Sequence, residues 1–241
     1  MREYAKTGIR GLDSILSGGI SRRSTVLVSG NPGTGKSILA MQYLYNGVRE
    51  FDENGIYLSF EEDTDDLVEA AESIGFEDWS DMVEKGSIKI YDKTDVLRDE
   101  DFSSTLTRLI EETDTERYER LVMDSITMFE MFFDDEKEKR TYLLKFADIL
   151  KQKGLTSLLT HESESIFPDR EIGFESFLTD GNIYMIQTPT SSGVNRYIWV
   201  AKMRKQNINS DIFPIEIGKG GITVHEDAAG FSLMGNEYID R

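Results

Sequence analysis

The stretch Gly30–Ser37, with the sequence GNPGTGKS, decides the fold of this 241-residue chain. It matches the pattern G-x-x-x-x-G-K-S, in which glycines allow a tight turn and successive backbone N–H groups face a polyphosphate. In this pattern Lys36 neutralises the outer phosphates and the Ser37 hydroxyl ligates Mg²⁺. The predicted nucleotide-binding residues are those that follow the first glycine: Asn31, Pro32, Gly33, Thr34, Gly35, Lys36 and Ser37.

The residues on both sides of this stretch support the same interpretation. The upstream run Ser24–Ser29 (STVLVS) is short, β-branched and typical of a buried parallel strand. Downstream, apolar residues recur at helical spacing; they are Ile38, Met41, Leu44, Tyr45 and Val48. Strand, loop and helix therefore follow in the order that a phosphate-binding loop requires. The alternative is a glycine-rich turn that leads into an ordinary helix.

Composition limits the class of protein. With 39% hydrophobic residues and no linker-like segment, we expect a single domain over residues 1–241, with its core at about 7–226 and a tail over 227–241 that is partly disordered or docked on a neighbour. No apolar run is long enough to cross a bilayer, and the N-terminus lacks the apolar segment of a signal peptide, so we expect a cytoplasmic protein. The absence of cysteine excludes disulfides, thiol nucleophiles and thiolate metal sites.

The formal net charge of −18 is unusual for a chain whose phosphate-binding motif is frequent among nucleic-acid motors. An acidic surface repels the phosphate backbone of DNA or RNA. The sequence also has no Lys/Arg-rich segment with interleaved aromatic residues. We therefore do not expect nucleic acid to be a partner.

Strand-like and helix-like segments alternate along the first two thirds of the chain, which predicts an α/β fold with a mostly parallel sheet flanked by helices. After the phosphate loop, the predicted strands are Gly55–Phe60, Ser87–Tyr91, Arg120–Met123 and Leu155–Thr160. The predicted helices are Thr64–Ile74, with Thr64 as N-cap, then Phe102–Glu112 and Lys137–Lys153. In the last third, short polar turns join strand-like segments that we expect to extend the sheet in antiparallel fashion: Asn182–Gln187, Asn195–Arg204, Phe213–Ile217 and a hairpin strand ending at Val224.

Acidic residues close two of the predicted strands. Asp124 follows the apolar run Leu121–Met123, and we expect it on a strand adjacent to the phosphate loop, where it would hold Mg²⁺ through water. A strand-end cap is the alternative for this pattern. Glu61 and Glu62 end the second strand, where hydrolysis needs a base or an orienting group for the attacking water. The residues alone leave open whether this pair is catalytic or only begins the acidic loop that continues through Asp66.

Four elements, in this order, resemble the KaiC-like branch of the RecA superfamily: TGIRGLDSILSGGI (Thr7–Ile20), the loop GNPGTGKS, the glutamate pair in YLSFEE (Tyr57–Glu62) and the late KMR (Lys202–Arg204). The resemblance covers almost the whole chain and is closest to the single-domain archaeal type. It implies a RecA-like P-loop NTPase core that forms a homohexameric ring, with ATP and Mg²⁺ between subunits. By the same likeness Glu61 and Glu62 activate water, with Glu61 favoured as the base.

The KMR element is predicted to act on a neighbouring subunit. On a regular strand, Val200, Lys202 and Arg204 point to one face, while Ala201 and Met203 point to the other. In the family that this chain resembles, the matching Lys and Arg reach across the interface to the neighbour's γ-phosphate. Lys202 and Arg204 are therefore expected to be catalytic in trans, together with Lys36 in cis. The alternative is a solvated edge strand that uses cations to deter aggregation.

The chain also departs from the family pattern. The segment Lys205–Asn207 replaces the usual Gly, small hydroxyl residue and nearby His, which puts nucleotide contacts there in doubt. Aligned on Thr179–Asp180, Ser176 stands at the place of the family's phosphorylated Ser, but Phe177 stands at that of the Thr. A two-site phosphorylation cycle is therefore excluded, autokinase activity is not expected, and only phosphorylation of Ser176 stays open. His161, with Glu162 beside it, ends a strand where RecA-like proteins often place a polar group that senses the γ-phosphate, although a hydrogen-bonded strand-end His explains it as well.

These observations favour an ATP-binding, slowly ATP-hydrolysing protein that acts as a nucleotide-dependent regulatory switch through ring assembly. Its expected partners are further copies of itself and an unidentified regulatory protein. One alternative is a recombination or DNA-repair ATPase of the same superfamily, which the charge of −18 opposes. The other is a non-hydrolysing ATP-binding scaffold of a motility machine, which the Glu61-Glu62 pair opposes.

Overall fold

A nine-stranded sheet organises the chain. The computed structural model describes residues 3–96, 105, 108, 110–111, 117–133, 135–163, 179–191 and 193–228. Ser176, most of the predicted helix Phe102–Glu112 and most of the tail lie outside the described residues. The strands of the large sheet are β3 (Thr25–Gly30), β4 (Gly55–Ser59), β5 (Ile88–Tyr91), β6 (Arg120–Asp124), β7 (Thr156–Glu162), β8 (Gly181–Thr190), β9 (Gly193–Met203), β10 (Ile212–Gly218) and β11 (Gly221–Val224). A separate two-stranded sheet pairs β1 (Tyr4–Ala5) with β2 (Ile20–Ser21).

The strand order is β11-β10-β9-β8-β3-β7-β6-β4-β5. The strands from β8 to β5 in this order run parallel, whereas β9, β10 and β11 are antiparallel to their neighbours. The predicted mostly parallel sheet with antiparallel C-terminal strands is thus confirmed. The expectation that the Asp124 strand is adjacent to the phosphate-loop strand is wrong, because β7 lies between β3 and β6. Hydrophobic patterning identifies strands but does not tell which backbones pair, so the sequence did not reveal this order.

Helices cover both faces of the large sheet. They are α1 (Leu12–Ile15), α2 (Lys36–Phe51), α3 (Thr64–Ile74), α4 (Trp79–Glu84), α5 (Lys93–Val96), α6 (Ile126–Glu130) and α7 (Glu136–Gln152). Alternate residues of β3 separate onto the two faces, since Val26 and Val28 join the core with α2 and Leu27 joins the core with α7. Burial on both faces explains why β3, β4 and β6 each carry apolar side chains at successive positions. No helix among the described residues is long and apolar enough to cross a membrane.

The N-cap of α3 differs from the prediction by one residue, although the bounds of the helix agree. Asp63, not Thr64, is the N-cap, because its carboxylate accepts a hydrogen bond from Asp66 N at 3.1 Å. Thr64 instead donates from its backbone N and its hydroxyl to Asp92, at 3.2 and 2.8 Å. Burial opposes ionisation of Asp92, but these bonds and those from Thr94 outweigh it and lower its pKa to about 2. Asp63 and Thr64 are adjacent side chains that can each cap this helix. The local sequence does not show which of the two does so.

The N-terminal phrase is folded around Asp13. Its Oδ1 accepts hydrogen bonds from Thr7 N and Thr7 Oγ1, both at 2.8 Å, and its Oδ2 accepts one from Gly8 N at 3.0 Å. Gly11 has φ +80°, and a Cβ there would lie 2.2 Å from Val224 O. The glycine is therefore required both by its backbone conformation and by the close approach of β11.

A buried ion-pair network at the start of β6 has no signal in the sequence. Arg120 is fully buried and donates to Glu53 Oε2 from Nε at 2.9 Å and from Nη2 at 2.6 Å. Its Nη1 donates to Tyr43 O at 2.8 Å, and its Cζ lies 4.5 Å from the centre of the Tyr43 ring. Arg22 forms a second ion pair with Glu53. This network joins α2, β6 and the β2–β3 connection at the sheet edge opposite the phosphate loop.

Candidate nucleotide-binding site

The phosphate loop connects β3 to α2 through two left-handed glycines. Gly33 and Gly35 have φ of +81° and +100°, values that favour glycine. A Cβ at Gly35 would lie 2.6 Å from Ile217 Cδ1, and one at Gly30 would lie 2.3 Å from Met185 O. The loop can close over α2 only because glycine occupies these positions.

Hydrogen bonds within the loop and from β8 fix the remaining loop residues. Thr34 Oγ1 donates to Asn31 O at 2.9 Å, which closes the turn. Gln187 of β8 donates from Nε2 to Pro32 O at 2.9 Å. The carbonyls of Asn31 and Pro32 are therefore held within the protein. A loop anchored in this way is pre-organised for an anion at the N-terminus of α2.

Lys36 is the first residue of α2, and its side chain turns back under the loop. It is 7% exposed, and its Nζ donates to Gly30 O at 2.9 Å. Burial lowers the pKa of Lys36, while the carboxylates of Glu162, Asp124 and Glu61 oppose this decrease. The amine is thus the cation around which the acidic residues of the site gather.

A cleft of about 250 Å³ opens beside the loop at the carboxyl ends of the parallel strands. It brings together most of the predicted site residues and one further carboxylate: Lys36, Ser37, Glu61, Glu62, Asp124 and Glu162. In open α/β sheets, ligands bind at this edge of the sheet. Lys202 and Arg204 do not line the cleft.

The Asp124 carboxylate is oriented by the strands on both sides of β6. Tyr57 of β4 donates its hydroxyl to Asp124 Oδ2 at 2.7 Å, and Thr160 of β7 donates its hydroxyl to Oδ1. Burial, followed by the charge of Asp124, raises the pKa of Tyr57 well above its usual value, so its hydroxyl stays a donor. Asp124 is therefore held in one orientation at the end of β6.

The donor set fits a nucleotide-bound Mg²⁺. Among the described ranges no three or more His, Asp or Glu side chains are grouped so that they could hold a metal by themselves. Mg²⁺ is usually bound by one or two carboxylates together with water and substrate phosphates rather than by an all-protein cage. The Ser37 hydroxyl and the Asp124 carboxylate at one cleft are donors of this kind.

The turn after β4 directs both glutamates to the cleft. Ser59 Oγ accepts from Glu62 N at 3.1 Å and donates to Glu62 O at 2.8 Å, which fixes the backbone of the turn. The Glu61 side chain shares a hydrogen bond with Ser125, the residue after Asp124. The turn that carries Glu61 and Glu62 is thus in contact with the residue that follows Asp124.

Electrostatics make both glutamates better bases than free carboxylates. Burial raises the pKa of Glu61, and the charges of Glu162 and Asp124 raise it further, against the bond from Ser125. Burial likewise raises the pKa of Glu62, with Asp124 as the next contribution. A carboxylate with a raised pKa accepts a proton more readily, which suits a base that activates water.

Glu162 also lines the cleft, whereas the sequence places it beside His161 and predicts no role of its own for it. It ends β7 beside the phosphate-loop strand, in register with Gly30. Its backbone N donates to Thr127 Oγ1 at 2.8 Å, which connects it to α6. The available signal was an acidic residue at the end of a buried strand, but its meaning depends on β7 being next to β3, which only the fold shows.

Lys202 and Arg204 lie near the ends of the sheet strands that are opposite the phosphate loop. Met203 pairs with Gly181, and Gly181 pairs with Val26 near the start of β3. The phosphate loop follows the far end of β3, four residues or about 13 Å further along the strand. The structure therefore separates these two cations from the cleft of their own chain.

The expected alternation of the KMR strand is wrong. Val200 and Met203, predicted on opposite faces, belong to the same hydrophobic core. The pairing of β8 with β9 moves from Ile183↔Val200 to Asn182↔Lys202, so Ala201 is an extra residue. Such a β-bulge reverses the side-chain alternation beyond it.

Main-chain and side-chain groups of Thr179–Asp180 contact both cations. Lys202 Nζ donates to Thr179 O at 2.8 Å, and burial, followed by the charge of Arg204, lowers the pKa of Lys202. Arg204 lies just after β9, and its Nη1 is 3.9 Å from Asp180 Oδ1. The Arg204 side chain is 52% exposed, so it stands at the surface.

The family model described as "ATPase: KaiC" matches residues 5–229. The chain belongs to the KaiC ATPase family. It is 30% identical over 226 residues to the circadian clock oscillator protein KaiC of Synechococcus elongatus, covering 91% of this chain and 43% of that protein. The identity to KaiC of Parathermosynechococcus lividus is also 30% over 226 residues, covering 91% of this chain and 42% of that protein. The chain thus spans less than half the length of these relatives.

A solved structure agrees with the sequence comparison. The crystal structure of a KaiC-like protein from the hyperthermophilic archaeon Pyrococcus horikoshii matches with a TM-score of 0.78 and 32% identity. The match covers 91% of this chain and 97% of that one. The fold is therefore the RecA-like P-loop NTPase core of a KaiC-type domain, as the resemblance predicted.

Proposed function

We propose that this KaiC-type domain binds ATP with Mg²⁺ at the cleft, hydrolyses it slowly and uses its nucleotide state to regulate contacts with protein partners. One observation carries the proposal: a single cleft unites the phosphate loop, a hydroxyl and carboxylate pair suited to Mg²⁺, and two glutamates with raised pKa. Family membership makes ATP the expected nucleotide.

In this proposal each group of the chain has a defined task. The backbone N–H groups of the loop and the Lys36 amine bind the phosphates, and Ser37 and Asp124 hold the magnesium ion. When bound, Mg²⁺ neutralises charge that develops on the phosphates. Glu61 orients the attacking water and accepts its proton, and Glu62 supports it from the same turn. The four carboxylates around Lys36 would repel a triphosphate. Tight binding of the triphosphate therefore requires the magnesium ion.

The position of the KMR element supports assembly from copies of this chain. Lys202 and Arg204 lie near the start of β3, whereas the cleft lies at its end, so they would serve the cleft of a neighbour. A head-to-tail contact of this kind closes into a ring if the rotation permits, and the hexamer is the expected size. Nucleotide binding and subunit contact would then depend on each other, which suits a regulatory switch. The regulatory partner is a protein, because the charge of −18 disfavours nucleic acid.

Phosphate release by the wild type and by the double variant Glu61→Gln/Glu62→Gln tests the proposal. We expect the variant to bind ATP-Mg²⁺ as the wild type does. Its assembly, measured by light scattering, should also match that of the wild type. Phosphate release should be at least about 100-fold slower. Glu69→Gln is the matched control, because Glu69 is exposed on α3. Equal phosphate release by the wild type and the double variant would show that the pair does not activate water.

A further inference from the structure

Gln206 uses its whole side-chain amide on its own chain. Its Oε1 accepts hydrogen bonds from Ser21 N at 3.0 Å and from Ser21 Oγ at 2.7 Å. Its Nε2 donates to Leu16 O at 2.8 Å and to Gly19 O at 3.0 Å. An amide oxygen has two lone pairs and an amide nitrogen has two N–H groups, so these bonds fill its capacity. The bonding pattern also fixes the orientation of the amide, since a flipped group would direct N–H toward the donors of Ser21.

The segment that receives Gln206, Leu16–Ser21, is a rigid platform. Leu16 and Ile20 are buried in the core at 0% and 1% exposure. Gly19 has φ +125°, and a Cβ there would lie 2.5 Å from Ala5 O, so the chain reverses tightly against β1. Asn209 N adds a backbone bond to Ile15 O at 2.9 Å, next to this platform. The turn after β9 is therefore bound to a tightly packed part of the fold.

The turn that Gln206 fastens has an uncommon backbone. Lys205, between Arg204 and Gln206, has φ +65° without being a glycine. Such conformations persist where the surrounding structure holds them on both sides. On one side Arg204 N donates to Asp180 O at 2.7 Å, and on the other the Gln206 amide is bound to the platform. The backbone at Arg204 is thus held by hydrogen bonds on both sides, while the Arg204 side chain is 52% exposed.

We propose that Gln206 is a positioning residue for the trans-acting cations. By binding the platform, Gln206 fixes the turn so that the Arg204 guanidinium is presented to the neighbouring subunit's cleft in one orientation. Because all of its polar groups are used within its own chain, Gln206 does not itself contact the neighbour's nucleotide. The inference rests on the proposed function, since it requires that Arg204 act in trans.

Two substitutions of Gln206 remove the hydrogen bonds that hold the turn to Leu16–Ser21. Gln206→Ala removes all of its bonds, and Gln206→Glu keeps an acceptor for Ser21 but loses both donors to Leu16 and Gly19. We expect kcat per subunit to fall by about tenfold to a hundredfold, because loss of orientation at a distance from the chemistry has effects of this size. KM for ATP should change by less than about threefold, since the phosphate loop is untouched. Asn207→Ala, at the exposed neighbouring amide, is the matched control and should leave both values unchanged.

A mixing experiment separates positioning from a loss of folding. Gln206→Ala subunits keep an intact cleft, and Glu61→Gln/Glu62→Gln subunits keep an intact Arg204, so a mixed ring contains competent interfaces. In a random equal mixture about one interface in four is competent, and phosphate release should rise to about a quarter of the wild-type value, well above that of either variant alone. Arg204→Ala mixed with the same double variant is the reference for action in trans.

Each result has a distinct meaning. Recovery in both mixtures supports the inference. Recovery with Arg204→Ala but not with Gln206→Ala would overturn the role of Gln206 and leave the proposed function standing. The absence of recovery in both would refute action in trans, on which both proposals depend. Wild-type kcat for Gln206→Ala and Gln206→Glu alone would overturn the inference directly.

Discussion

Replacing Glu53 with Gln should destabilise the fold, because Glu53 is the anionic centre of the buried network. Both Arg120 and Arg22 bind its carboxylate, and Arg120 is fully buried. The substitution keeps the volume and one acceptor but removes the negative charge. Arg120 would then be a buried cation whose acceptors in the network are neutral: the Gln amide oxygen and the backbone carbonyls of Tyr43 and Lys6.

The magnitude follows from the burial of both partners. Removing one partner of a buried ion pair typically costs 3–5 kcal/mol, since the other charge loses its compensation. Because the Gln amide oxygen still accepts a hydrogen bond from Arg120, we expect the lower end, a decrease of about 3 kcal/mol in the free energy of unfolding. For a chain of this size that corresponds to a decrease in Tm of about 6–12 °C.

Urea unfolding without nucleotide, at one fixed protein concentration, measures this effect, because ligand binding and assembly would otherwise shift the apparent stability. Glu50→Gln is the control, since Glu50 is an exposed residue of α2 and its change should remain within about 0.5 kcal/mol. The double variant Glu53→Met/Arg120→Met should be more stable than Glu53→Gln, because it removes the fully buried Arg120 cation together with its anion, and Arg22, whose side chain is 22% exposed, stays accessible to water. A free energy of unfolding for Glu53→Gln equal to that of Glu50→Gln would refute the reasoning.

Two further predictions concern the site and its flank. Glu162→Gln should lower the pKa of Glu61, because the charge of Glu162 helps to raise it. A base must be deprotonated, so the acid limb of the profile of kcat/KM against pH should move to lower pH. An acid limb at the same or a higher pH would contradict the assignment of Glu61 as the base. Asp63→Ala should decrease the free energy of unfolding by about 1 kcal/mol through loss of the α3 cap. Exposed Glu69→Ala on the same helix should cost measurably less, and equal losses would show that the cap contributes nothing.

Local patterns predicted most elements of the fold. The helix Thr64–Ile74 has the predicted bounds, and α7 differs from its prediction by one residue at each end. These segments are long and periodic, so their apolar positions identify them without help from the rest of the chain. The short helix α4 was not predicted, because six residues hold too few apolar positions to show a period.

The candidate site was predicted where residue type alone restricts the chemistry. The phosphate loop, Asp124 and the Glu61-Glu62 pair lie at one cleft as expected. Glu162 received no role because its importance depends on β7 lying beside β3. The faces of the KMR strand were wrongly predicted because a bulge at Ala201 depends on pairing with β8, which a single strand does not encode.

The sequence by itself determined the phosphate loop, the alternation of strands and helices and the family, because these depend on the order of residue types along short segments. Only the tertiary structure decided the strand order, the buried Arg120–Glu53 pair, the clamp of Gln206 on Leu16–Ser21 and the separation of Arg204 from its own cleft. These features join segments that are far apart in the chain. Backbone pairing and close packing bring such segments together, and neither leaves a local period that a sequence can show.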